Sequence, residues 1–188
     1  MKAVLIVLGI AVLGVVLFGM KFVGVRNDLV VKKEAISASW SQVDADLQRR
    51  ADLIPNLVET VKGYAKEETT VIADISNARA GMMNSRSPQE KIEANQKLEG
   101  ALGRLLVVVE NYPNLKANAN FQSLQFQLEG TENRILQARR RYNEAVQNYN
   151  TTLQLFPNNI VASMSGFQRE DAYFKTDTNA RSAPKVSF

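Results

Sequence analysis

Two pairs of carboxylates stand close enough in the chain to share a proton: Glu67 with Glu68, and Glu129 with Glu132. Acid–base chemistry needs such a pair in one cleft, with the two pKa values pushed apart. On helices rich in charge the same pairs form a solvated face, and that is the expectation here. Two arginine runs, Arg49-Arg50 and Arg139-Arg140-Arg141, could meet phosphates. Adjacent helical residues point in different directions, so neither run makes a patch by itself. The absence of Cys excludes disulfides, a thiolate nucleophile and a lipid-modified cysteine. The absence of His removes the commonest general base and the commonest transition-metal ligand. It also rules out the di-iron bundle, which needs Glu-x-x-His pairs. No glycine-rich phosphate loop and no nucleophile motif occurs. The chain is therefore read as no enzyme, with no catalytic residue, no metal ligand and no cofactor. With 23 basic against 19 acidic residues, the small excess favours anionic partners such as phospholipid head groups, and no nucleic acid.

What must position these residues is helical. From Phe121 the apolar row runs Leu124, Leu128, Thr131, Ile135, Ala138, Tyr142, Ala145, Tyr149, Thr152 and Phe156. The 3-4 spacing never slips, which predicts a helix that packs against other helices.

The chain starts with an uncharged run over residues 3–20. As a helix it spans ~27 Å at ~1.5 Å per residue, against a hydrocarbon core of ~30 Å. Lys21 can snorkel and let Phe22, Val23 and Val25 extend the span. A cleaved signal peptide is the rival reading. The run is longer than the usual signal core, and no small-x-small site directly follows, so a retained anchor is expected. Lys21, Arg26, Lys32 and Lys33 after the span place the remaining domain in the cytoplasm by the positive-inside rule. The short basic start before a long apolar run points to export instead, so the side stays open. No GxxxG pairing motif occurs in the span.

A second row follows from Leu29 to Met82: Ile36, Trp40, Val43, Leu47, Ile54, Leu57, Val61, Tyr64, Val71, Ile75, Ala78 and Met82. Two seam positions are charged, Arg50 and Glu68. Either their stems cover apolar surface with the heads in water, or Arg50 pairs with a carboxylate such as Glu129 or Glu132 and fixes helix register. Pro55 interrupts the row. Either the helix kinks there, or a new helix starts at Asp52 with Pro55 in its first turn. Gly81 through Ser87 form a turn. Ser87-Pro88-Gln89-Glu90 then reads as a capped helix start. Pro113 ends that helix, and Phe156-Pro157 stops the long one. Residues 166–188 look mobile, except that Phe167, Tyr173 and Phe174 could dock.

Several stretches together resemble the LemA family: Gln48-Arg49-Arg50-Ala51-Asp52-Leu53-Ile54-Pro55-Asn56-Leu57-Val58, Tyr112-Pro113-Asn114-Leu115-Lys116-Ala117-Asn118, and Gly130-Thr131-Glu132-Asn133-Arg134-Ile135. Arg140-Arg141-Tyr142-Asn143, Tyr149-Asn150, Phe156-Pro157 and the ending Ala183-Pro184-Lys185-Val186 with Phe188 are similar to the same pattern. Two positions depart from it: Arg26-Asn27 precede Leu29-Val30 where Tyr-Asn is usual, and Glu67 stands where His is frequent. The resemblance implies a bacterial, single-pass protein with an up-and-down helical bundle, in a family with one branch associated with magnetosome membranes. It brings no catalytic residues to carry over.

The expectation is an all-α chain: an antiparallel up-and-down bundle of three or four long helices behind an N-terminal transmembrane helix. Residues 1–25 are the anchor, 26–165 the bundle and 166–188 the tail. The expected function is structural, self-associating or scaffolding unknown protein partners at a bacterial inner membrane, with the lipid bilayer as first partner. The alternative is a membrane-tethered sensor or adaptor that binds a small ligand or peptide between helices. If Pro55 only kinks the first helix, its membrane-proximal half must find cover elsewhere, from the 117–156 helix or from another subunit. In the second case Ile36, Trp40, Val43 and Leu47 become the self-association surface of a homo-oligomer.

Overall fold

The computed structural model describes residues 2–174. Their regular elements are α1 (Lys2–Tyr64), α2 (Thr69–Asn84), α3 (Pro88–Val109), α4 (Pro113–Lys116), α5 (Ala119–Gln154) and α6 (Asn158–Met164). The fold is all-α, as the two periodic rows predict. The chain divides into two compact units. One holds Trp40–Arg140 with, among the described residues, Ala172, Tyr173 and Phe174. The other holds the residues up to Ser39 with Arg141–Asp171.

In the first unit, side-chain contacts fix the direction of every long helix. Arg79 Nε donates to the Ala51 carbonyl at 2.8 Å, so α2 folds back along α1. Lys91 pairs with Asp44, and Tyr112 Oη donates to Glu68 Oε1 at 3.0 Å, so α3 runs in the direction of α1. Asn118 Nδ2 donates to Tyr64 Oη at 2.9 Å, while Arg134 Nε lies 4.0 Å from Asp46, so α5 runs back. The order is up, down, up, down. Val43, Leu47, Ile54 and Leu57 of α1 are buried, as are Ile75 and Met82 of α2. Leu98 and Leu105 of α3, and Phe121 and Ile135 of α5, complete this core.

Pro55 stays inside α1, which settles the choice between kink and restart: the helix does not restart there. A proline has no N–H to offer the carbonyl four residues back. That carbonyl belongs to Ala51, and the Arg79 guanidinium supplies the missing donor. The row from Leu29 to Met82 is nonetheless two helices. They part at Ala65–Glu68, which holds neither Pro nor Gly. Nearby Gly63 is a weak local sign of the turn. Ala65 takes a core position that the spacing gave to Tyr64, and Tyr64 is exposed. The start of α3 follows expectation: Ser87 Oγ accepts from Glu90 N–H at 3.3 Å with Pro88 in the first turn, and Glu90 accepts from Arg86 N–H at 2.7 Å.

In the second unit, Leu29 and Ile36 of α1, Tyr142, Val146 and Tyr149 of α5, and Val161 and Ala162 of α6 are buried. The row along α5 holds from Phe121 to Tyr142, then Val146 replaces Ala145 in the core, and Phe156 lies past the helix end with 80% of its surface exposed. A straight helix drifts ~20° per heptad from a strict 3.5 repeat, which lets Val146 take the place of Ala145, while Phe156 leaves the seam because the helix has ended at Gln154. The two Thr in the row keep their places because each hydroxyl has a partner: Thr131 donates to Gln127 O and Thr152 to Asn148 O, both at 2.8 Å. After α6 the chain is tied to α5. Tyr149 Oη donates to Gln168 O at 2.9 Å, Asn150 Nδ2 to Glu170 O at 2.6 Å, and Glu170 N–H to Asn150 Oδ1 at 3.0 Å. The remaining tail, 175–188, with its family-like ending, lies outside the described residues. At the other end of this unit, the large apolar side chains from Val4 to Met20 are exposed along a helix long and apolar enough to cross a membrane.

Candidate functional site

Position 50 falls on the apolar seam of α1, and its side chain is buried, with 5% of the residue's surface left exposed. A guanidinium stays protonated at any ordinary pH, so its donors need acceptors once water is removed. Arg50 Nη1 donates to Asn95 Oδ1 at 2.9 Å and more weakly to Glu99 Oε1 at 3.4 Å; Nη2 donates to Glu132. Asn95 Nδ2 in turn holds Glu99 Oε1 at 2.8 Å. Arg139 Nη1 reaches the same carboxylate at 3.3 Å. Three helices, α1, α3 and α5, thus contribute to one charged network. Arg139 also sits 4.8 Å from the centre of the Phe174 ring, and that ring stacks on Trp40 at 6.3 Å.

Arg50 and Glu132 of this network also line a cleft of about 300 Å³. Its apolar walls are Leu57, Leu102, Leu105, Leu106, Phe121 and Leu128, and its polar lining is Arg50, Gln125, Glu129 and Glu132. Arg50 Nε is buried and has no hydrogen-bond partner. The cleft therefore combines an apolar body with a polar margin. Among the described residues no three His, Cys, Asp or Glu side chains are grouped as a metal would need.

Of the two carboxylates expected opposite Arg50, Glu132 forms the pair, while Glu129 lines the cleft. Asn95 and Glu99 were not expected from the sequence. The signal for Asn95 was available: the row from Ile92 to Leu98 passes through position 95, and a polar residue there is a gap that asks for a partner. Glu99 lies one turn further on. Glu68, the other charged seam residue, does not join this site. It stands at the turn before α2 and accepts from Tyr112. That bond first, then burial and the charges of Glu68 and Glu67, raises the Tyr112 hydroxyl above its ordinary pKa. The arginine runs do not act as patches either: Arg49, Arg140 and Arg141 are exposed, while Arg50 and Arg139 turn inward.

Three of the four residues expected at the self-association surface are buried. Ile36, Val43 and Leu47 are buried, and Trp40 is half-buried and stacks on Phe174. The turn at Ala65–Glu68 returns α2 to α1 at Ala51, and Phe174 stacks on Trp40.

The family model described as LemA family matches residues 39–188. Magnetosome protein MamQ 2 of Paramagnetospirillum magneticum is 28% identical over 192 residues, which cover 88% of this chain and 70% of that protein. Magnetosome protein MamQ of Magnetospirillum gryphiswaldense is 26% identical over 195 residues, covering 90% and 71%. Protein LemA of Metamycoplasma hominis is 24% identical over 152 residues, covering 80% and 69%.

Proposed function

The chain belongs to the LemA family, and from that membership we propose a membrane-anchored structural protein that holds partners, or further copies of itself, at a bacterial inner membrane. The observation that carries the reading is the continuity of α1. The helix with the uncharged run of residues 3–20 is the same helix that places Val43, Leu47, Ile54 and Leu57 in the bundle core. An anchor is usually joined to its domain by a linker; here one backbone serves both. Relatives named as magnetosome proteins support a membrane setting. Self-association belongs to this proposal, and it must use residues other than Ile36, Val43 and Leu47, which are already buried. The test is chemical crosslinking of the full chain in intact bacterial membranes, followed by sizing in mild detergent. The expected result is a membrane-bound chain crosslinked into larger species. A full chain recovered from the soluble fraction as a monomer would overturn it.

The cleft beside Arg50 favours a second reading, a tethered sensor or adaptor. An apolar ligand with one polar end matches its apolar walls and its polar lining of Gln125, Glu129 and Glu132. A medium-chain fatty amide is then expected to raise the Tm of the parent and not of a Leu102→Phe variant, whose larger ring fills the cleft. Equal behaviour of the two chains removes this reading.

A further inference from the structure

The corner between α5 and α6 carries an apolar surface that neither the core nor the Arg50 site uses. Leu155 is 55% exposed, Phe156 80%, Ile160 43% and Met164 66%. Single exposed apolar residues are ordinary, but a cluster of this kind marks a contact surface. Two further observations say what it contacts. First, Ala145 to Gln168 contains no Asp, Glu, Lys or Arg, in a chain that is 22% charged overall. Such a run suits a place where charges are expensive. Second, within the same compact unit, Pro157 and Ile160 share a recess with Leu17, Phe18, Lys21 and Phe22 of α1. Leu17 and Phe18 belong to the uncharged run, and Lys21 marks where charge resumes. At ~1.5 Å per residue, Leu17 lies ~6 Å inside Lys21. The corner is therefore level with the boundary between acyl chains and head groups, where amphipathic segments settle ~5–10 Å deep.

We propose that the α5–α6 corner is a second membrane contact: Leu155, Phe156, Ile160 and Met164 enter the edge of the same leaflet that α1 leaves. Asn158 and Asn159 supply polar side chains at head-group level. The local backbone is suited to this place, because Asn159 N–H donates to Leu155 O at 2.9 Å and Ile160 N–H to Pro157 O at 3.2 Å. Unpaired peptide groups would resist entry. The proposal rests on the reading of α1 as a membrane anchor, and the test separates the two.

Because the chain has no Cys, a single introduced cysteine reports one place. The full-length chain, reconstituted in phosphatidylcholine–phosphatidylglycerol vesicles, is labelled with an environment-sensitive fluorophore at Phe156→Cys or Met164→Cys. Val12→Cys serves as the anchor reference and Asn84→Cys as the exposed reference on α2. Nitroxide lipids that quench near the head group are expected to quench the labels at 156 and 164, deep nitroxides the label at 12, and neither the label at 84. Leu155→Asp, added to the Phe156→Cys chain, is expected to weaken the quenching without loss of helical circular dichroism. Quenching at 12 with 156 and 164 behaving like 84 overturns the corner contact and leaves the anchor standing. No quenching at 12 removes the anchor and the corner contact with it. Labels at 156 and 164 shielded from aqueous iodide yet indifferent to nitroxide lipid assign the corner to a protein surface, a second copy included, and also overturn the proposal.

Discussion

Arg50 is a permanent cation in a core position, and its partners come from two other helices. Its Coulomb attraction to Glu99 and Glu132 is set against the cost of taking the guanidinium out of water. Removing the cation leaves Asn95, Glu99 and Glu132 facing one another without a common donor. Arg50→Ala is expected to lower the unfolding free energy by about 2–3 kcal/mol. That is at or below the range for fully buried pairs, because both carboxylates keep substantial contact with solvent. Arg50→Lys is expected to recover little of this, since one ammonium cannot serve acceptors on two helices through a planar fork. Urea unfolding of the three chains checks both statements. A second residue-scale outcome concerns alkaline pH. Burial first, and then Glu170, push the Tyr149 hydroxyl above its ordinary value of 10.0. The folded chain therefore keeps this proton to higher pH than the unfolded chain. The stability that follows is complete below about pH 10 and is lost as pH rises through the folded value. Tyr149→Phe removes the ionisable group, so its stability is expected to fall less steeply above that pH than the parent's. The same urea series run across alkaline pH reads the difference.

At the scale of elements, the decisive arrangement is Pro55 in α1 opposite Arg79 in α2. A proline in a helix interior costs ~3 kcal/mol, partly through the orphaned carbonyl. Here Arg79 Nε donates to that carbonyl, so Pro55 and Arg79 act as a pair. Arg79→Ala is expected to destabilise the parent, and to do so by about 1 kcal/mol less in a Pro55→Ala chain, whose residue 55 N–H can bond Ala51 O directly. A double-mutant cycle measures the coupling, and additive effects would show that the contact contributes nothing. The pair also explains why α2 lies where it does: a free helical carbonyl on α1 is a specific target for a guanidinium on a returning helix.

At the scale of the whole molecule, membership of the LemA family, an all-helical fold and one apolar N-terminal helix describe a membrane-associated protein. Its anchor reading has a direct check. The chain extracted from membranes is expected to have an intact mass that includes residues 3–20 and to stay in the pellet after an alkaline wash. A mass short by ~20 residues would mark a removed signal peptide. The burial of Val43 and Leu47 also changes what a mutation there would mean. A charge at either position tests folding, and an assembly experiment must instead vary exposed residues such as Phe126 or Val107.

The sequence by itself determined the helices, the apolar N-terminal run and most of the seams. Those follow from periodicity and run length, which are local properties that each helix expresses along its own axis. The cap at Ser87 was legible for the same reason, since Ser, Pro and Glu act within one turn. The reversal at Ala65–Glu68 was not legible, because none of its residues forbids helix and only the packing of α2 on its neighbours repays the broken hydrogen bonds. The fate of Pro55 depended on a donor 24 positions downstream, and the partners of Arg50 on which helices would lie side by side. Tertiary structure alone decided these points, because a lone carbonyl or a buried charge is satisfied by whatever group another element brings within reach, and spacing along one helix carries no record of that group.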